Sequence, residues 1–170
     1  MHIELQRATP GDRPRLERLL ELYVHDFSEI LGLAPGDDGR FGYAGLDAYW
    51  REPGRVPYLI RADAQLAGFA LVGRGSLVSG DAAVCDVAEF FVVRGLRRRG
   101  VGIAAAHAVF ASSAGTWEVR VMSRNIAAQP FWQRAVGSFS DGRCESFDWV
   151  SPRGSQVRVY RFASAGPPAA

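Results

Sequence analysis

The run FFVVRGLRRRGVGIAAAHAVF, Phe90 to Phe110, constrains the fold more than any other stretch of this chain. It opens with four apolar residues in a row, the pattern of a central strand covered on both faces. It closes on an alanine-rich segment with Ile103, His107 and Phe110 at helical spacing. Between them lie four arginines and three glycines. The first amides of a helix lack internal partners, and the helix dipole makes that end positive. Gly100 and Gly102 keep side chains away where a ligand would meet the backbone. Arginine adds charge-assisted hydrogen bonds to anions. The arrangement is a seat for a diphosphate at a helix N-terminus.

Three phosphate-binding patterns compete for this segment. Gly95 to Gly100 has the glycine spacing of a P-loop, but Val101 and Gly102 stand where that loop needs Lys and Ser or Thr. Gly100-Val101-Gly102-Ile103-Ala104-Ala105 fits the G-x-G-x-x-A of a dinucleotide fold. Against that, six mostly basic residues separate the strand from the first glycine. No βαβ unit precedes the segment, and no acid ends the next strand. The third pattern is Arg97-Arg98-Arg99-Gly100-Val101-Gly102.

The rest of the chain supplies the context. Ile3 and Leu5 alternate with polar residues in a first strand. Thr9-Pro10-Gly11-Asp12 is a helix start, and apolar residues from Leu16 to Leu31 recur at helical spacing until Gly32. A short helix is predicted over Leu46–Trp50. Strands at Tyr58–Ala62 and Leu66–Gly75 form a hairpin about Asp63-Ala64-Gln65. Further strands are expected at Ala83–Val93 and Trp117–Met122, helices at Gly100–Ser113 and around Ala128–Val136, and a closing hairpin at Cys144–Val150 and Gln156–Ala163. The order β, α, α, β, β, β, α, β, α, β, β predicts an α/β fold: a mixed, mostly antiparallel sheet of six to seven strands with about four helices. One domain over residues 1–163 is expected, with 164–170 a disordered tail.

Composition narrows the partners. Hydrophobic residues make up 48% and charged residues 22% of the 170, ordinary for a soluble domain. A net charge of +2 suggests neither a nucleic-acid nor a membrane partner. All 20 basic residues are arginine, which we read as genomic base composition. Cys85 and Cys144 have no metal-ligand spacing and read as reduced thiols, and the start MHIELQRATP lacks a signal-peptide core. Both point to the cytoplasm. Monomer and homodimer are both open.

Taken with its preceding strand, the third pattern resembles the acyl-CoA-binding motif of the GNAT N-acetyltransferase superfamily: Arg or Gln, two residues, Gly, any residue, then Gly or Ala. Asn125, Ala128, Phe131 and Trp132 resemble that family's second cofactor motif, and the element order is similar over about Ile3 to Phe162. The likeness is greatest to small bacterial predicted acetyltransferases. The resemblance implies a splay between the central strand and the strand at Trp117–Met122. It implies that backbone groups of about Phe91, Val92 and Val93 pair with the pantetheine arm, that the amides of Arg98, Arg99, Gly100, Val101 and Gly102 hold the pyrophosphate with at least one of the Arg97, Arg98 and Arg99 side chains on phosphate, and that Asn125 and Trp132 contact the cofactor. Acetyl-CoA is the implied co-substrate, a small-molecule or peptide amine the acceptor, and no metal is implied.

An amine attacking a thioester must first lose a proton, which costs about 4–5 kcal/mol for a lysine-like amine at pH 7. Glu89 is the leading base. It is the only charge between Val87 and Val93, and apolar neighbours raise a carboxylate's pKa toward a useful range. In a regular strand Asp86 points to the opposite face, unless a bulge intervenes. Glu118 is the second candidate, with Arg120 on its own face as a possible ion-pair partner. Trp132 stands where the family often carries a tyrosine that protonates the leaving thiolate, and an indole N–H is no such acid. Among the N-terminal helices and their loop, Tyr23, Phe27 and Tyr49 are candidate walls for the acceptor. A non-catalytic acyl-CoA-binding module and a dinucleotide-dependent oxidoreductase are the alternatives to a transferase.

Overall fold

A computed structural model describes residues 1–167. The strands are β1 (Ile3–Arg7), β2 (Val56–Ala62), β3 (Gln65–Arg74), β4 (Cys85–Val92), β5 (Ala114–Met122), β6 (Cys144–Val150) and β7 (Gln156–Ala165). The helices are α1 (Arg13–Leu31), α2 (Ala48–Arg51), α3 (Val101–Ala111) and α4 (Gln129–Phe139). One seven-stranded sheet runs β1-β2-β3-β4-β5-β7-β6. Its neighbours are antiparallel except for β4 and β5, which are parallel. The mixed, mostly antiparallel sheet with four α-helices agrees with the sequence reading.

The sheet is the middle of three layers. Leu16, Leu19 and Leu20 of α1 pack on Leu59, Phe69, Leu71 and Phe91 on one face. On the other face Val109, Phe110, Trp132 and Val136 of α3 and α4 pack on Val72, Val87, Trp117 and Val119. Each fully buried side chain of this kind contributes about 1.5–3 kcal/mol, so the two helix layers hold the sheet from both sides. The predicted start signal shapes a 3-10 turn, Pro10–Asp12, that leads into α1: Asp12 accepts from the Thr9 N–H at 3.0 Å and the Thr9 hydroxyl at 2.9 Å. Its end follows too, with Gly32 left-handed at φ 67° and its N–H donated to the Ser28 carbonyl.

Boundaries shifted where alternation gives little signal. β5 begins at Ala114, before the expected Trp117, and β7 runs to Ala165, into the expected tail. Ser164 and Ala165 therefore belong to the sheet, because they pair with Gly115 and Ala114. Positions 168–170 of that tail lie outside the described residues.

The centre of the sheet is a fork. β4 and β5 pair only as Cys85↔Trp117, Asp86↔Glu118 and Val87↔Val119. Beyond those rungs the strands separate, although each continues for several residues. The separation coincides with a bulge: Val72 lies opposite Val87 and Leu71 opposite Glu89, leaving Ala88 as the extra residue on β4. A bulge adds local twist and reverses the facing of the residues after it. Cys85 and Val87 face the α3–α4 layer, whereas Glu89 and Phe91 face α1.

Candidate active site

The inner edge of β4 follows from its outer pairing. The Val93 N–H donates to the Ala67 carbonyl at 2.9 Å, and Phe91 lies opposite Phe69. In an antiparallel ladder the N–H and C=O of one residue point to the same side, and successive residues alternate. The main-chain groups of Phe91 and Val93 are therefore turned to β3, and those of Phe90 and Val92 to the fork. This corrects the expectation that Phe91, Val92 and Val93 all offer their backbone there. The Phe91 side chain lies in the α1-side core, edge-on to Tyr23 with ring centroids 6.0 Å apart.

At the open end of the fork the chain makes a 3-10 turn over Arg94–Leu96 and reaches α3 through Arg97–Gly100. Arg98 has φ 59° and Gly100 φ 85°, two left-handed steps that turn the chain into the helix. Gly100 is the N-cap of α3, and no side chain caps that end. Gly102 has a different reason: a Cβ there would meet Phe131 Cε2 at 2.9 Å. Gly102 thus lets α3 and α4 close on each other beside the fork.

The three arginines do not act alike. Arg97 donates from Nε to the Val92 carbonyl at 2.7 Å and binds Asp26 of α1, and its guanidinium lies 5.4 Å from the Phe91 ring centre. Arg94 also binds Asp26, at 2.8 Å. Burial alone would raise the Asp26 carboxyl, but hydrogen bonds from Arg94 and Arg97 outweigh it and hold the group below the usual carboxylate range. Arg97 is therefore a clasp between the loop and α1, which leaves Arg98 and Arg99 as the arginines without such a tie in the expected phosphate loop. Arg98 and Arg99 are exposed beside the α3 terminus.

Glu89 projects beneath α1, where its carboxylate accepts hydrogen bonds from two phenols. Tyr23 donates to one oxygen and Tyr43 to the other at 3.0 Å. Burial pushes the Glu89 carboxyl up, and the nearby Asp86 charge adds to this; the two phenols and Arg120 moderate the rise. Tyr43 also lines a pocket of about 220 Å³ between α1 and the loop before α2, with Glu17, Glu21, Arg40 and Leu46. That loop is fastened to α1 by Glu21, which accepts from the Phe41 N–H at 2.8 Å and the Gly42 N–H at 3.0 Å.

The other candidates fall into two groups. Asp86 shares the face of Glu89 because of the bulge, and both its oxygens bind Arg120, at 3.0 and 2.7 Å. Glu118 is 0% exposed and bound by Arg161 at 2.7 Å and Ser76 at 2.8 Å, so it is a structural ion pair whose carboxylate is turned to its own partners. Its partner is the residue opposite it on β7, not Arg120 as expected. Tyr49 is buried in the α1-side core with Arg55 over its ring, which corrects its reading as an open wall. Phe27 packs on Tyr23 at 4.7 Å. Asn125 opens the turn into α4, its Oδ1 accepting from the Ala128 N–H at 3.2 Å. Trp132 is 8% exposed and packs on Phe90 at 5.2 Å, and Phe131 stacks on the same ring at 5.9 Å. These rings wall the fork on the α3–α4 side. His107 joins α3 to α4 through the Ala135 carbonyl, at 3.0 Å.

Tyr43 as a partner of Glu89 and Asp86 as the partner of Arg120 were not foreseen. Both depend on one bulged residue, and nothing in the sequence around Ala88 marks it.

No protein-family model and no curated protein matches the sequence. Solved structures do. An acetyltransferase from Thermus thermophilus aligns over 96% of this chain and 98% of its own, with 18% identity and a TM-score of 0.71. The chain has the GNAT fold. A Desulfovibrio desulfuricans protein described as an acetyltransferase of the GNAT family aligns over 95% and 99%, with 14% identity and a TM-score of 0.58. The aminoglycoside acetyltransferase AAC(6')-Ib, solved with coenzyme A, aligns over 94% of both chains, with 14% identity and a TM-score of 0.65. The forked centre, the basic loop and the α3 terminus are thus parts of a GNAT fold that spans nearly the whole chain. Among the described residues no group of three or more His, Cys, Asp or Glu is placed to hold a metal ion, and no helix is long and apolar enough to cross a membrane.

Proposed function

We propose that the protein is an acyl-CoA-dependent N-acyltransferase that moves an acetyl group from acetyl-CoA directly to a primary amine. One observation carries the proposal: a raised carboxylate, Glu89, sits on the same short length of β4 as the unpaired inner edge of the fork, and that edge leads to an uncapped helix terminus. The amides at the start of α3, with Arg98 and Arg99, suit the diphosphate. The Phe90 main chain and the Val92 N–H on the inner edge suit the amide groups of a pantetheine arm, added as a strand would be, while the Val92 carbonyl is already held by Arg97. The aromatic wall of Phe90, Phe131 and Trp132 covers the arm from one side. When bound, acetyl-CoA supplies the activated thioester.

The chain's own residues handle the proton. Glu89, raised by burial, accepts one from the incoming ammonium, directly or through a water. Tyr23 and Tyr43 hold the carboxylate in place and stabilise its charged form. The acceptor is a small-molecule or peptide amine, and the pocket beside Tyr43 is linked to Glu89 through the Tyr43 hydroxyl. Free Cys85 and Cys144 accord with a reducing cytoplasm, where we place the reaction.

Calorimetric titration with coenzyme A and NADH tests the cofactor class. Coenzyme A should bind, NADH should not, and Gly100→Asp should abolish binding, because it puts a carboxylate at the α3 terminus and a side chain at φ 85°. Thiol release over a panel of amines tests catalysis. Loss of release in Glu89→Gln with coenzyme A binding intact supports the transfer reaction. A second reading, a non-catalytic acyl-CoA-binding module, is favoured by Trp132 in place of an acid; binding without thiol release from any amine would select it.

A further inference from the structure

The closed end of the fork is strapped by charge. Asp86 belongs to the middle one of the three rungs joining β4 to β5, and Arg120 lies one residue beyond the last rung, on the departing arm of β5. The Arg120 guanidinium reaches back across the opening and binds both oxygens of Asp86, at 3.0 and 2.7 Å. The pair is well covered, with side chains 8% and 19% exposed. The bulge at Ala88 makes the strap possible, since it leaves Asp86 and Glu89 on one face. On the opposite face the same end is filled by Val87, Val119 and the buried Trp132. Between the strands, the Val87↔Val119 rung closes it.

We propose that the Asp86–Arg120 strap limits the transferred acyl group to about the size of acetyl. The inference rests on the coenzyme A reading above. The diphosphate seat lies at the open end of the fork, so the acyl end of the arm points to the strapped end. Each further methylene would be pressed against a desolvated ion pair on one side and packed rings on the other. Neither yields at low cost: a buried guanidinium–carboxylate pair keeps its hydrogen bonds only if the guanidinium stays, and a packed core resists added volume. Arg120 and Asp86 are thus specificity-determining residues; their charges also act on Glu89, but neither is the group that accepts the proton.

Calorimetric titration with free coenzyme A, acetyl-CoA and butyryl-CoA tests this without knowledge of the acceptor. The wild-type protein should bind acetyl-CoA about tenfold or more tighter than butyryl-CoA, within the range that one or two methylenes command in a fitted pocket. Replacing both partners, Asp86→Ala with Arg120→Ala, avoids leaving a lone buried charge. It should bring the two affinities within about threefold while free coenzyme A binds as before. Equal wild-type affinities overturn the inference and leave the coenzyme A reading standing. So does a folded double variant that keeps the wild-type ratio. If none of the three compounds binds, the coenzyme A reading itself falls, and the inference falls with it.

Discussion

Glu89 is held in a state that a neutral side chain would hold more easily. Its folded pKa is raised, first by burial. Below the unfolded value, near ~4.3, the carboxyl is protonated in both states and the shift has no effect. As pH rises through the raised folded value, the charge must be held in a covered site and the folded state loses stability. Glu89→Gln should therefore melt higher than the wild type at pH 7, and the difference should vanish near pH 4. Thermal melts across that range check the sign. The same substitution should cut thiol release by about 10²–10⁴-fold, the usual contribution of a positioned base. The wild-type rate should fall as acid protonates Glu89. Tyr43→Phe removes one of the two donors that oppose the rise, so the acidic limb of the pH–rate profile should move to higher pH. Tyr23, Asp86, Arg120 and Tyr49 also face this carboxylate and stay in place in that variant.

Among the elements, the loop between β4 and α3 is the one whose parts divide most clearly by role. Gly100 provides a backbone turn, Gly102 a close approach to Phe131, and Arg97 the clasp to Asp26. Arg97→Ala should weaken coenzyme A binding through loss of loop order while costing the exposed pair's usual ~1 kcal/mol or less in stability; a denaturant melt beside a titration separates the two. The depressed Asp26 carboxyl keeps the clasp at neutral pH and releases it only as pH falls through its folded value. Gly68→Ala tests the outer side of the same strand. A Cβ at Gly68 would lie 1.9 Å from the Phe91 carbonyl oxygen, so β4 must shift away from β3. We expect a loss of about 1–3 kcal/mol or more in a urea melt, from overpacking against backbone that cannot rotate aside.

At this scale the sequence was most informative. The strand, basic loop and glycine-rich helix start of Phe90–Phe110 were legible because their signals are local: apolar runs, glycine spacing and charge. The same locality explains what was not legible. Whether Glu89 faces α1 depends on one extra residue at Ala88, and the identity of its donors depends on where a sixteen-residue connection before α2 settles. The pairing of Arg120 with Asp86 in place of Glu118 depends on the register of a parallel ladder, which alternation along one strand does not specify.

For the whole molecule, the decisive feature is a sheet joined at its middle by three rungs. The unpaired amides of the diverging arms, near Val92 and Arg120, should exchange hydrogen faster than those of the fully laddered β3 and β7. Addition of coenzyme A should slow the Phe90 and Val92 amides in particular, and mass-resolved exchange with and without it measures the change. Bare strand margins normally sit at the outside of a fold, where they invite neighbouring chains to dock and polymerise. Here one such margin has been moved indoors and roofed on both sides by helices. The protein can thus keep main-chain valences vacant for a guest, all but the one carbonyl that Arg97 already claims, while both faces stay shut to a stranger's backbone.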